Sequence, residues 1–294
     1  MSSYLTVCEL AARSAGEILR TMFGKIHVRH KKNRFDLVTE ADVAAQKVIE
    51  QTIFEHFPQH RFLGEETTAG LFNTPNVKIP NLKTPNESTK STTDKSGHCQ
   101  SNDSQSGDSQ YCWIVDPLDG TTNYVHGLPL FCTSIALLCE DRVICAVIYN
   151  PMMEEFYSAE KGQGVFLNGE PIHVSLRETL EESLVSVSFP TMTQANDPDL
   201  RTFLQAVTVC QAIRRTGSTA LNLAFVAAGR LDASWSFQCH PWDMSAGSLL
   251  VEEAGGVVTQ PNGSPITFDD PSPVCAVANK TLHTELMKLI NNNT

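Results

Sequence analysis

No apolar run in the 294 residues approaches the roughly 20 that a membrane-spanning helix requires. The N-terminus has no basic segment followed by an apolar core and a cleavage site, so the chain reads as soluble, unexported and cytoplasmic. There is no Cys-x-x-Cys pair. The nine cysteines (8, 99, 112, 132, 139, 145, 210, 239 and 275) are odd in number, scattered, and mostly set in apolar runs, which favours reduced buried thiols over a disulfide framework. Positive charge is also scarce: 22 Lys and Arg stand against 33 Asp and Glu, a net charge of -11. That balance argues against a nucleic-acid surface and leaves acidic groups for bound cations to neutralise. No internal repeat is visible.

What is present suits a folded core, since 41% of the residues are hydrophobic and the length allows one large domain or two small ones. Leu5, Cys8, Ala12, Ala15, Leu19 and Met22 recur at helical spacing, which predicts an amphipathic helix over 4–23. A short strand at Ile26-His27-Val28 and a second helix over 39–57, closed by Pro58, follow. Residues 67–110 are dominated by Ser, Thr, Asn, Asp, Pro and Gln and cannot bury enough to offset their ordering entropy; they read as a low-complexity, disordered insertion. Beyond it, 131–139 and 143–149 form a hairpin and 155–174 adds strands, with the glycines at 162, 164 and 169 read as turns. Helices are expected near 198–210, 219–229, 243–254 and 281–291, and strands near 184–188, 232–237, 256–259 and 274–277. The alternation suits stacked layers of helices and sheets, an α/β fold class.

The most informative segment is Asp116-Pro117-Leu118-Asp119-Gly120-Thr121-Thr122-Asn123, at the end of the apolar run Trp113-Ile114-Val115. A strand end delivers Asp116, a turn swings Asp119 to the same point, and from Gly120 onward backbone N–H groups are offered where a helix can begin. Metal ions and a phosphate could share that turn. The plain alternative is a hairpin turn with threonine caps. Two further acidic motifs weigh against it: Gly64-Glu65-Glu66 and Trp242-Asp243-Met244-Ser245-Ala246-Gly247.

Together with Asp36-Leu37-Val38-Thr39-Glu40-Ala41-Asp42, Arg215-Thr216-Gly217-Ser218 and Glu252-Glu253-Ala254-Gly255-Gly256, these motifs make the chain resemble the inositol monophosphatase family of magnesium-dependent, lithium-sensitive phosphatases. The resemblance runs from the first helix to near the C-terminus and omits residues 67–110. It implies an α/β/α/β/α layered sandwich, so that 1–294 is expected to be a single catalytic domain carrying the insertion. It also implies Mg²⁺, two or three ions, with Mn²⁺ as a substitute and Li⁺ as an inhibitor. The family commonly forms homodimers, an expectation extended to this chain.

Carried over by matching motif, Glu65, Asp116 and the Leu118 carbonyl hold one ion, and Asp116, Asp119 and Asp243 a second, with Asp116 bridging. Glu66 is assigned an outer or structural place. Oxygen-only donors favour Mg²⁺ or Mn²⁺ over Zn²⁺. Asp243 could equally cap its helix, and Thr39 to Asp42 has capping-box spacing. The resemblance pairs Asp42 with Thr121 to position or deprotonate a metal-activated water. It sets Gly120, Thr121 and Thr122 against the phosphate and Gly217, Ser218 and Thr219 against the substrate ring. His126 and His240 read as structural or outer-shell residues.

The substrate is expected to be a small phosphorylated polyol, with inositol 1-phosphate foremost. Histidinol phosphate, fructose 1,6-bisphosphate and nucleotide 3'-phosphates are the alternatives within the family. A regulatory or binding protein that retains the fold is the reading from another class. The family's usual Glu ahead of Trp-Asp is replaced by Ser236, which removes a charge-assisted bond to hydroxyls.

Overall fold

The computed structural model describes residues 2–25, 28–30, 37–68, 110–190 and 192–291. Of the expected 26–28 strand, Ile26 and His27 fall outside these residues. So does nearly all of the 67–110 segment, namely 69–109.

Helix α1 (Ser3–Met22) begins where the Ser2 hydroxyl accepts the Leu5 N–H at 3.2 Å, and it buries Leu5, Cys8, Ala12, Ala15 and Leu19 as the periodicity predicts. Strands β1 (Val28–His30) and β2 (Leu37–Thr39) form an antiparallel pair. Helix α2 (Glu40–His56) is opened by the Thr39/Asp42 capping box. Strand β3 (Arg61–Gly64) and the one-turn helix α3 (Glu65–Thr68) lead to β4 (Tyr111–Asp119) and the short helix α4 (Thr121–Val125). Next come β5 (Cys132–Cys139), β6 (Arg142–Asn150), β7 (Glu155–Glu160), β8 (Val165–Leu167) and β9 (Glu170–Pro171). Strands β3 to β9 make a seven-stranded sheet in sequence order, antiparallel except for the β3/β4 pair.

The second half contains β10 (Leu184–Val187), α5 (Pro198–Val209), β11 (Ala212–Arg214), α6 (Thr219–Ala227), β12 (Ala233–Cys239), α7 (Pro241–Glu253), β13 (Val257–Thr259), β14 (Ser272–Val277) and α8 (Lys280–Asn291). Its five strands lie in the order β11-β10-β12-β14-β13.

Side-chain alternation stacks these elements into layers. On β4, β5 and β6, Trp113, Val115, Ile135, Leu137 and Val147 pack against α1 and α2. The intervening Ile114, Ala136 and Ile148 pack against α6 and α7. The same helices cover Val274 and Ala276 of the smaller sheet, whose other face, with Val185, Trp235 and Val277, packs against α5 and α8. The order helix, sheet, helix, sheet, helix is the expected sandwich. The strongly apolar strands follow from it, since both faces of each sheet are covered.

Two expectations need refinement. Strand β11 and strand β3 escape the apolar pattern, because three or four residues are too few for a period to show. The 155–174 region contributes only short strands ending at Pro171. The eight cysteines among the described residues are free thiols, six of them buried, and Cys8 and Cys145 lie with their sulfurs 3.6 Å apart.

The central helices approach closely at Gly247 of α7, where a Cβ would collide with the Leu223 side chain of α6. Gly247→Ala should therefore destabilise by about 1–3 kcal/mol despite the better helix propensity of alanine. Thermal melting tests this: the expectation is a loss of several degrees, and a rise would contradict the packing argument.

Candidate active site

Residues three apart on a regular strand face opposite sides, so Asp116 and Asp119 would diverge if β4 were regular. It is not. Asp116 pairs with Ser134 and Asp119 with Cys132, so β4 carries one residue more than β5 over this stretch. The bulge falls at Pro117, which has no N–H to lose from the ladder. Both carboxylates consequently face the α6/α7 layer. The turn is pinned from several directions: Leu118 N donates to Asp116 Oδ1 at 2.9 Å, and Thr133 Oγ1 donates to the Pro117 carbonyl at 3.0 Å.

Asp243 arrives from the first turn of α7. Its Oδ2 accepts the His240 N–H at 2.8 Å, and Pro241 occupies the first turn where no N–H is needed. The capping and site roles thus coexist on one side chain. Carboxylate oxygens of Asp116, Asp119 and Asp243 lie within 4.8 Å of one another, and no other group of three metal-ligating side chains comes together among the described residues. Glu65, at the start of α3, interacts directly with Asp116. Four of the sequence-predicted acids therefore converge.

Their electrostatics are those of a crowded anionic site. Burial pushes Asp116 well above the ordinary carboxylate range, and the charges of Glu65, Asp119 and Asp243 push it further. Asp243 is raised by burial and then by Asp119. Asp119 is pushed up to about 6 by burial, although its Oδ2 accepts Ser218 Oγ and Ala220 N, each at 2.6 Å, which lower it. Such groups take up protons unless a cation replaces them. An all-oxygen donor set of this charge fits a hard divalent ion.

Beside the acids, Thr121 Oγ1 lies 3.3 Å from Asp42 Oδ1 and 3.1 Å from the Leu118 carbonyl. Asp42 is fully buried and held at Oδ2 by the Thr39 N–H at 2.8 Å and the Thr39 hydroxyl at 2.5 Å. Gly120 opens α4 with φ +98°, and a Cβ there would meet the Leu130 carbonyl and Phe131, so the backbone turn demands glycine.

Glu65, Asp116, Leu118, Asp119, Gly120, Thr121, Gly217, Thr219 and Asp243 line one cavity of about 380 Å³. Thr122 is exposed and outside its wall. Ser218 is buried, and its hydroxyl is committed to Asp119 while accepting the Leu221 N–H at 3.2 Å as the cap of α6. It orients an acid and does not face the cavity. The wall also contains residues outside the quoted motifs, including Ser188, Phe189, Gln238 and His240. His240, read from sequence as a structural or outer-shell residue, was findable by its place three residues ahead of Asp243. Ser188 and Phe189 lie at the end of β10 and had no signal.

A layered α/β/α/β/α fold whose cavity gathers carboxylates fit for a hard cation beside the start of a helix points to a class, the metal-assisted phosphomonoesterases. Comparison with known proteins narrows this: residues 1–294 match the Inositol monophosphatase family, and the chain belongs to it. It is 37% identical over 298 residues to Inositol monophosphatase 3 of Solanum lycopersicum, covering 99% of this chain and 97% of that one. It is 36% identical over 269 residues to the Nus factor SuhB of Pseudomonas aeruginosa, covering 90% of this chain and 88% of that one. The crystal structure of the extragenic suppressor protein suhB from Bartonella henselae superposes with a TM-score of 0.82 at 32% identity over 100% of both chains. The protein is accordingly an enzyme of the phosphoric monoester hydrolase class.

A carboxyl group whose folded pKa exceeds its unfolded value near 3.8 binds more protons in the folded state, so the metal-free fold loses stability as pH rises towards about 6 and beyond. In chelator, the melting temperature should fall from about pH 5 to about pH 7, and Mg²⁺ should raise it more at the higher pH. Asp116→Asn should flatten the slope. Melting curves at both pH values check this, and an Mg²⁺ increment larger at low pH would contradict the charge argument.

Proposed function

We propose that this chain hydrolyses the phosphate monoester of a small polyol, with inositol 1-phosphate as the leading substrate. The observation that carries the reading is the convergence of Asp116, Asp119 and Asp243 within 4.8 Å on the cavity that Gly120 and Thr121 also line. The names of its relatives support the polyol.

Glu65, Asp116 and the Leu118 carbonyl would hold one Mg²⁺, and Asp116, Asp119 and Asp243 a second, with Asp116 shared. When bound, Mg²⁺ supplies positive charge against the phosphate and lowers the pKa of water. The donor set supports Mn²⁺ as a substitute, and we extend the reading to Li⁺ as an inhibitor. The remaining work falls to the chain itself. Gly120 and Thr121 at the start of α4 direct backbone N–H groups to the phosphate, where the helix end carries partial positive charge. Thr121 Oγ1, in contact with Asp42 Oδ1 at 3.3 Å, accepts the proton of the attacking water and passes its own to Asp42. The buried hydrogen bonds from Thr39 hold Asp42 in place for that transfer.

The 294 residues act in this reading as a single catalytic domain, and residues 67–110 are an insertion that the chemistry does not use. A chain lacking them should keep its turnover, and loss of turnover in a folded deletion variant would assign them to the site.

Phosphate release with and without Mg²⁺, from a panel of inositol 1-phosphate, histidinol phosphate, fructose 1,6-bisphosphate and adenosine 3',5'-bisphosphate, tests the reading. Asp116→Asn should lower turnover at least about a hundredfold with the fold retained. Thr121→Val should cost about a hundredfold in kcat, while Thr121→Ser stays near wild type. Near-wild-type turnover by Asp116→Asn would sink the mechanism.

A further inference from the structure

The cavity has two chemically different sides. One is the acidic cluster; the other includes Gln238 at the end of β12 and His240, the residue that precedes α7. Strand β12 carries its own bulge: Ser236 pairs with Val274 and Cys239 with Ser272, so one extra residue lies between them. The bulge turns Ser236 and Cys239 inward, at 0% and 3% exposure, and leaves Gln238 and His240 on the cavity wall. Ser236 Oγ is spent locally, donating to the Gln238 carbonyl at 2.9 Å and accepting the Gln238 N–H at 3.3 Å. It offers nothing to a substrate.

His240 is built in. Its ring stacks on Trp242 with centroids 4.8 Å apart and planes at 10°, and its Nδ1 is hydrogen-bonded to Asp270 Oδ1, from the segment just before β14. An ionised carboxylate only accepts, so Nδ1 donates to Asp270, and Nε2 is the ring nitrogen not engaged in that bond. Stacking fixes the ring plane and Asp270 fixes the rotation about it. A hydrogen-bonding ring nitrogen is thereby held on the cavity wall beside Asp243.

We infer that His240 reads the hydroxyls of the substrate's alcohol through Nε2, and that Asp270 is its positioning residue. The inference rests on the phosphatase reading and specifies how that site selects polyols. A hydroxyl both donates and accepts, so a fixed imidazole nitrogen distinguishes an alcohol that carries hydroxyls from one that carries none, and it adds no negative charge to the wall.

The test compares kcat and KM for inositol 1-phosphate and phenyl phosphate, which has no hydroxyl on its alcohol, in wild type, Asp270→Asn, Asp270→Ala and Asp270→Glu. The ratio of kcat/KM between the two substrates should fall about five- to tenfold in Asp270→Asn and Asp270→Ala, through KM for inositol 1-phosphate and not kcat. Asp270→Glu should recover part of it, and melting temperatures should match wild type. An equal fall on both substrates, an unchanged ratio, or wild-type turnover of phenyl phosphate alone would each overturn the role of His240 and leave the phosphatase reading standing. Absence of Mg²⁺-dependent turnover of either substrate by folded protein would overturn both.

Discussion

Like charges held together in a poorly solvated pocket are the constraint from which the rest of this structure follows. Asp116, Asp119 and Asp243 repel one another and Glu65, and burial raises the first three further. No local interaction among them would assemble such a cluster, so the frame must do it. That frame is five layers deep, and the acids sit where its central helices begin. Asp119 lies against the first N–H groups of α6, and Asp243 is held by the backbone N–H that precedes α7. Helix starts lower the cost of negative charge, and here two of them point at one place.

Rigidity is distributed through polar letters that look ordinary in the sequence. Ser134 Oγ ties β5 to the Trp242 carbonyl at 3.1 Å, and Asn123 Nδ2 bridges the Leu130 and Thr216 carbonyls at 2.6 and 2.8 Å. Each bond crosses from the large sheet or its turn to the second half of the chain or to the next loop. The two sheets also use the same device. A one-residue bulge on β4 brings two acids to one side, and a one-residue bulge on β12 turns two small residues inward and presents Gln238 and His240. A strand without the bulge would leave Asp116 and Asp119 on opposite faces, whatever their spacing in the chain.

The layered fold was legible because its elements are long and strongly periodic: α1, α2 and the β5/β6 hairpin fall within a residue or two of the pattern in Leu5, Cys8, Ala12 and in Ile135, Leu137. The acids were legible because their residue types and company are distinctive. Orientation was not. Ser218 and Thr219 are neighbours in one motif, yet the Ser218 hydroxyl turns inward to Asp119 while Thr219 lines the cavity. A single residue of helix phase separates a positioning role from a contact role, and sequence spacing does not record it. The rest of the wall was hidden for another reason. Ser188 and Phe189 come from the end of β10, far in sequence from any motif, and only tertiary packing brings them to the cavity.

The Gly162 and Gly164 loop shows how narrow the difference is between a turn and an anion site. Both glycines have positive φ, and their N–H groups converge on one carboxylate, Glu253, at 2.8 and 2.9 Å. This is the chemistry of a phosphate-binding loop. The anion, however, is supplied by the chain itself, from the last turn of α7, with the neighbouring Glu252 engaged by Lys161 at 2.9 Å. An internal carboxylate outcompetes a free phosphate because its translational entropy is already spent in folding. The loop therefore fastens the far end of α7 to the large sheet, and the helix that carries Asp243 at one end is anchored at the other.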